Sequence, residues 1–241
     1  MYILTLETTG PRGSVALTDE TGKTIEEMSL EPMSHLRLLV PMAEILLDRA
    51  GVSRGALSAI AASVGPGSFT GIRIGVTTAR MMAQALGIPC LALPSLEVFR
   101  PYCQPGRTVA VIFNARRGQV YGAVFGPAGE PLLTPGPYML EDVLAVTETC
   151  GRVVFYGDGV DAYGERLTGY ALAPKEERYQ RASLGAALAL EKWQAGETLE
   201  PEQLLPLYMR ASEAEQKLAS GELARLRAAK MERLKRSGVG N

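Results

Sequence analysis

The run Gly65-Pro-Gly-Ser-Phe-Thr-Gly-Ile-Arg-Ile-Gly75 has the residue types of an anion site. Two glycines around a proline make a rigid turn with unusual backbone angles. Ser68 or Thr70 then supplies an N-cap oxygen for the helix that follows, which runs to about Leu86. A small-residue strand from Leu57 to Val64 leads into the turn. Free N–H groups and the helix dipole point outward at such a junction, so phosphate binding is the first chemistry to weigh. Three other residues bear on it. Glu7 closes an N-terminal strand and could contact a metal ion or a nucleotide through water. Arg116 and Arg117 sit in a tight turn, where a guanidinium can pair with phosphate.

Most other chemistries find no residues. No Gly-Lys-Ser/Thr follows Gly71, so Walker-type phosphate binding fails. His35 is the only histidine, which rules out a two-histidine metal site within one chain. Without a second histidine or a G-x-S-x-G, neither a Ser-His-Asp triad nor a peptidase has a nucleophile–base pair. The phosphate cradle is weak too. Asn114 stands where a second carboxylate would help, and the bulk of Arg116 and Arg117 works against close backbone approach.

The elements that must position these residues read as follows. Tyr2 to Glu7, Gly13 to Thr18 and Thr24 to Leu30 are strands, with a hairpin turn at Asp19–Gly22. A helix runs from Ser34, its N-cap, to Ala50, stopped by Gly51. The Gly65 turn and its helix lead to a short strand near Cys90–Leu93. The pattern then restarts with strands Arg107–Asn114 and Gln119–Phe125, a helix near Leu140–Thr149, a strand Val153–Tyr156 and a turn Gly157-Asp158-Gly159. In both halves a strand ends on Glu or Asn, turns, and restarts on Gly-polar-Val. The order βββαβα occurring twice predicts a duplicated α/β architecture. It resembles the actin/Hsp70/sugar-kinase-like fold, in which two hairpins grip phosphates and carboxylates hold a metal. The expected divisions are 1–100, 101–212 and a polar, basic segment 213–241, with the boundary among Pro94, Pro101 and Pro105.

Two helices have faces that suggest a partner. Gly71, Gly75, Ala79 and Ala83 recur every four residues, a stripe that lets a second helix come close. The 34–50 helix is apolar on one broad face (Leu36, Leu39, Val40, Ala43, Leu46, Leu47) and again at Leu38, Met42 and Ile45, more than one buried side requires.

Composition sets the background. The 241 residues carry a net charge of −1, so no global basic field draws in nucleic acid. Six Lys/Arg stand against Glu232 between Arg225 and Asn241; a solvated terminal helix is the expectation, a nucleic-acid-touching tail the alternative. Three cysteines without metal-ligand spacing predict a reducing compartment, and no apolar run reaches the length of a membrane span. A cytoplasmic protein is expected.

The Gly65–Gly75 run, the Asn114-Ala-Arg-Arg-Gly-Gln-Val-Tyr121 hairpin, Gly157-Asp-Gly159 and Pro206-Leu-Tyr-Met-Arg210 together resemble the bacterial TsaB (YeaZ) family over roughly residues 1 to 215. That resemblance implies a role in forming N6-threonylcarbamoyladenosine at position 37 of tRNAs that read codons starting with A. It implies a non-catalytic scaffold with no cofactor or metal of its own, ATP/ADP and a divalent metal belonging to partner subunits. Those partners are a catalytic paralogue, TsaD, and an ATPase, TsaE, with tRNA reached through the complex. It also implies pairing with itself or with TsaD through the first two helices, here about Ser34–Ala50 and Thr70–Leu86. The candidate contacts are then Leu38, Met42, Ile45, Gly71, Gly75, Ala79 and Ala83. Glu7 and Asn114 stand where the family usually has Asp, which weakens any nucleotide site further. The alternative is a stand-alone actin-like ATPase or phosphotransferase, using Glu7, Arg116 and Arg117.

Overall fold

The computed structural model describes residues 1–28, 35–116 and 118–210. Ser34, Arg117 and the whole basic segment from residue 211 onward lie outside the described residues. Their assignments as N-cap, phosphate ligand and terminal helix therefore stand as sequence expectations.

Residues 1–94 build the first sheet. The apolar run Tyr2–Glu7 is strand β1, buried on both faces and paired with β2 (Ser14–Asp19) and β4 (Leu57–Gly65). β3 (Thr24–Met28) and β5 (Cys90–Pro94) complete the order β3-β2-β1-β4-β5. Helix α1 (His35–Ala50) and helix α2 (Phe69–Leu86) cover one face. Their Leu39, Met42, Leu46, Ile72, Val76 and Ala79 pack on Leu4, Leu6 and Ile60. Gly87 ends α2 in the left-handed conformation at φ 65°, which only glycine adopts without strain.

The second sheet repeats the plan. Strands β6 (Thr108–Asn114), β7 (Gln119–Phe125), β8 (Pro131–Met139), β9 (Val153–Tyr156) and β10 (Ala171–Leu172) lie in the order β10-β9-β6-β7-β8. In each sheet the first strand pairs antiparallel with the second and parallel with the fourth. The fold class read from the duplicated pattern is therefore the observed one. Strand β8 is among the elements that local pattern does not reveal. Pro135, Gly136 and Pro137 erase its strand signal, and they are tolerated because β8 is an edge with one free side.

Helix α3 (Leu140–Glu148) packs on the second sheet, and α4 (Gly159–Ala162) and α5 (Lys175–Arg178) are single turns. The last long helix, α6 (Ala182–Gln194), packs on β1, β2 and β3 of the first sheet. Gly185 makes this possible: a Cβ there would stand 3.1 Å from Leu93 and 3.4 Å from Thr5. The shared core that results joins Ile3, Ala61 and Leu93 of the first sheet to Val111, Phe113 and Tyr156 of the second, with Leu184 and Leu188 of α6. Residues 1–209 form one compact unit. Among the described residues no helix is long and apolar enough to cross a membrane.

Candidate functional site: the glycine-rich turn and the first hairpin

Ser68 is the N-cap of α2, its Oγ accepting from Gly71 N at 3.2 Å. Gly65 and Gly67 adopt φ of 115° and 154°. The local geometry is that of an anion turn, but the space in front of it is taken. Ser68 N donates to the Thr9 carbonyl at 2.9 Å, and a Cβ on Gly67 would lie 2.7 Å from that same oxygen. The β1–β2 hairpin supplies the acceptor that a phosphate would have supplied.

The stripe along α2 meets the same hairpin. Thr8 Oγ1 donates to the Gly71 carbonyl at 2.7 Å. A Cβ on Gly71 would overlap the Thr8 carbonyl oxygen, and one on Gly75 would overlap Thr8 Oγ1. Ala79 and Ala83 are fully buried in the first core, beside Cys90. The stripe Gly71, Gly75, Ala79, Ala83 thus receives the protein's own β1 turn and sheet, not a partner helix. The four-residue spacing marks close approach correctly; periodicity does not say by what. Met42 is likewise a core residue, and Leu38 is half-buried against that core. Ile45 alone of the expected contacts is well exposed, at 55%.

Glu7 is committed internally as well. Its Oε1 accepts from Thr9 N at 2.5 Å and Thr9 Oγ1 at 2.6 Å, and its Oε2 accepts from Ser63 Oγ. The side chain is fully buried, and that burial pushes its carboxyl above the ordinary value despite the bonds from Ser63 and Thr9. A carboxylate so enclosed has no edge left for an external metal or water. Among the described residues no group of three or more His, Cys, Asp or Glu could hold a metal ion.

At the second hairpin, Asn114 Oδ1 accepts from Arg116 N at 2.8 Å and from the Tyr163 hydroxyl at 3.2 Å. Asn114 N donates to Asp158 Oδ1 at 2.9 Å. Burial raises the Asp158 carboxyl above its usual range. Arg116 has a positive φ of 65°, rare for a side chain of its size, where a phosphate-gripping hairpin would place glycine. Gly157 and Gly159 are required by packing, since a Cβ on either would crowd the Ile112 carbonyl. Glu7 and Arg116 therefore lie on separate hairpins, each bonded to its own surroundings.

Sequence reading missed the role of Pro206–Arg210. Leu207 N donates to the Val64 carbonyl at 2.8 Å, and Tyr208 stacks on Phe69 at 4.3 Å between ring centroids. Arg73 Nε completes the stack by donating to Tyr208 Oη at 2.9 Å. This strap lies across the glycine-rich turn, and the distance in sequence hid the pairing. The outer faces of α1 and α2 carry Val40, Ile45 and Met81, the last 61% exposed. Single exposed apolar residues of this kind are ordinary on a protein surface.

Three comparisons bear on this arrangement. The family model of TsaD, tRNA N6-adenosine threonylcarbamoyltransferase, matches residues 31–216. The Bacillus subtilis tRNA threonylcarbamoyladenosine biosynthesis protein TsaB is 31% identical over 90% of this chain and 97% of its own length. A Pseudomonas aeruginosa crystal structure described as similar to peptidase YeaZ superposes with a TM-score of 0.76 at 31% identity, covering 87% of this chain and 99% of that one. More distantly, the activator of 2-hydroxyisocaproyl-CoA dehydratase from Clostridium difficile, solved with bound ADPNP, has a TM-score of 0.50 at 11% identity over 82% of this chain and 97% of its own. It shares the fold alone.

Proposed function

Because the chain belongs to the TsaB (YeaZ) family of tRNA threonylcarbamoyladenosine biosynthesis proteins, we propose that it acts in that pathway as a non-catalytic docking subunit. Its partner in this reading is a TsaD-like catalytic paralogue, held through the outer faces of α1 and α2. A TsaE-like ATPase joins the complex, and tRNA is reached through it. ATP and the divalent metal sit on the partners. In isolation the same face pairs two copies of this chain, in keeping with the preference of oligomers for two-fold symmetry.

The observation that carries the reading is the occupied cradle. Thr8 and Thr9 fill the space before the glycine-rich turn, and Glu7 accepts hydrogen bonds from Thr9 and Ser63. With the glycine-rich turn and Glu7 engaged inside the chain, this reading places the partner contact on the exposed side chains of α1 and α2, Val40, Ile45 and Met81.

The test is reconstitution. The purified chain is mixed with a TsaD-like protein and run on a sizing column, then assayed with the TsaE-like ATPase, ATP and tRNA. A complex and threonylcarbamoylated tRNA are expected only when this chain is present. Full product formation without it, or turnover of ATP by this chain alone, overturns the reading.

A further inference from the structure

We infer that the segment from Arg178 to Ser183 is a clamp that ties the second sheet to the first and resists hinge motion between them. The inference rests on the fold and is independent of the docking role. Domain closure about a cleft is a common way for two-lobed proteins to respond to ligands, so its prevention is a distinct mechanical property.

Each end of the segment is fastened several times. At the second sheet, Gly157 N donates to the Arg178 carbonyl at 2.7 Å. The Arg178 guanidinium donates to the Ala173 carbonyl through Nε at 3.2 Å and Nη2 at 2.9 Å, and pairs with the Asp161 carboxylate. Asp161 also accepts from the Tyr179 hydroxyl. At the first sheet, Ala182 N donates to Ser14 Oγ at 2.8 Å. Ser183 N and Oγ donate to the two carboxylate oxygens of Glu26, both at 2.9 Å.

The chain between these anchors is taut. Tyr179 and Arg181 are extended, with φ/ψ of −102°/159° and −153°/155°. An extended chain is already near its limit of about 3.5 Å per residue, so it cannot lengthen as the lobes part. Opening must break one whole set of anchors. Midway, Gln180 is 5% exposed and lies over the first hairpin, its Oε1 3.1 Å from where a Cβ on Gly10 would stand. That oxygen is buried without a hydrogen-bond partner, an unusual state that marks the side chain as held by its surroundings.

Hydrogen exchange on the full chain tests the clamp without altering it. The amides of Gly157, Ala182 and Ser183 are expected to exchange within about tenfold of the Leu4 and Val111 core amides, because they open only with the whole fold. Exchange of these amides more than about a hundredfold faster than that core overturns the inference.

Discussion

Thr8 and Gly71 are joined across the first core: the Thr8 hydroxyl donates to the Gly71 carbonyl at 2.7 Å, and no room remains for a Cβ on Gly71. This one relationship explains why the run around the turn is glycine-rich. The β1 hairpin and α2 touch backbone to backbone, which requires hydrogen where other residues carry carbon.

Gly71→Ala should therefore destabilise the fold by about 3 kcal/mol, the upper range for overpacking a tight contact. Urea denaturation with and without the substitution measures it. No loss, or the gain of up to about 1 kcal/mol that Gly→Ala brings at an exposed helix position, would show that Thr8 yields easily.

Surface substitutions on the same helices should behave in the opposite way. Ile45→Asp and Met81→Arg change exposed side chains, so stability should shift by no more than about 0.5 kcal/mol while the complex with a TsaD-like partner is lost. Sizing chromatography of the mixed proteins reads the second effect. Retention of pairing by both variants removes the outer faces of α1 and α2 as the docking site. Ala79→Arg is unsuitable for this purpose, since it unfolds the core it enters.

Glu7 gives a pH signature. Burial raises its folded carboxyl above the ordinary 4.5, so the folded state holds that proton more tightly than the unfolded chain does. Its contribution to stability is full below that ordinary value and is lost as pH rises through the folded value. Wild type should lose stability relative to Glu7→Gln as pH increases above 4.5, read from paired urea midpoints across that range. A difference that shrinks with rising pH contradicts the assignment. Glu7→Ala, which leaves the Ser63 and Thr9 donors buried without an acceptor, should cost about 3 kcal/mol.

The cysteines should separate by burial. Cys90 is fully buried and its thiol is pushed up to about 11, so it stays protonated at neutral pH. Alkylation of the folded protein should stop at Cys103 and Cys150, with Cys103 slowed because burial raises its thiol too. Cys90 should react only after unfolding, as peptide mapping would report. Modification of Cys90 in the folded chain would mean that the α2–β5 contact opens readily.

Much was legible in the residues themselves. The buried run Tyr2–Glu7, the N-cap at Ser68 (one of the two candidates, with Thr70), the Gly51 stop and the paired hairpins at Glu7 and Asn114 all appear where local pattern places them, because caps, turns and strand alternation are local physics. The duplicated order of those elements was enough for the fold class. Prolines hid β8, whose edge position excuses them only once the sheet is known.

The sequence by itself determined that Gly71, Gly75, Ala79 and Ala83 meet something at close range. Only the tertiary structure decided that the something is Thr8 and the sheet, 63 residues away in chain between Thr8 and Gly71. It alone decided that Glu7 is sealed by Ser63, that Tyr208 caps the turn by stacking on Phe69, and that α6 crosses to the first sheet. The reason is physical: spacing along a helix specifies the shape of a surface, whereas the identity of what fills it depends on long-range contacts that no local pattern encodes.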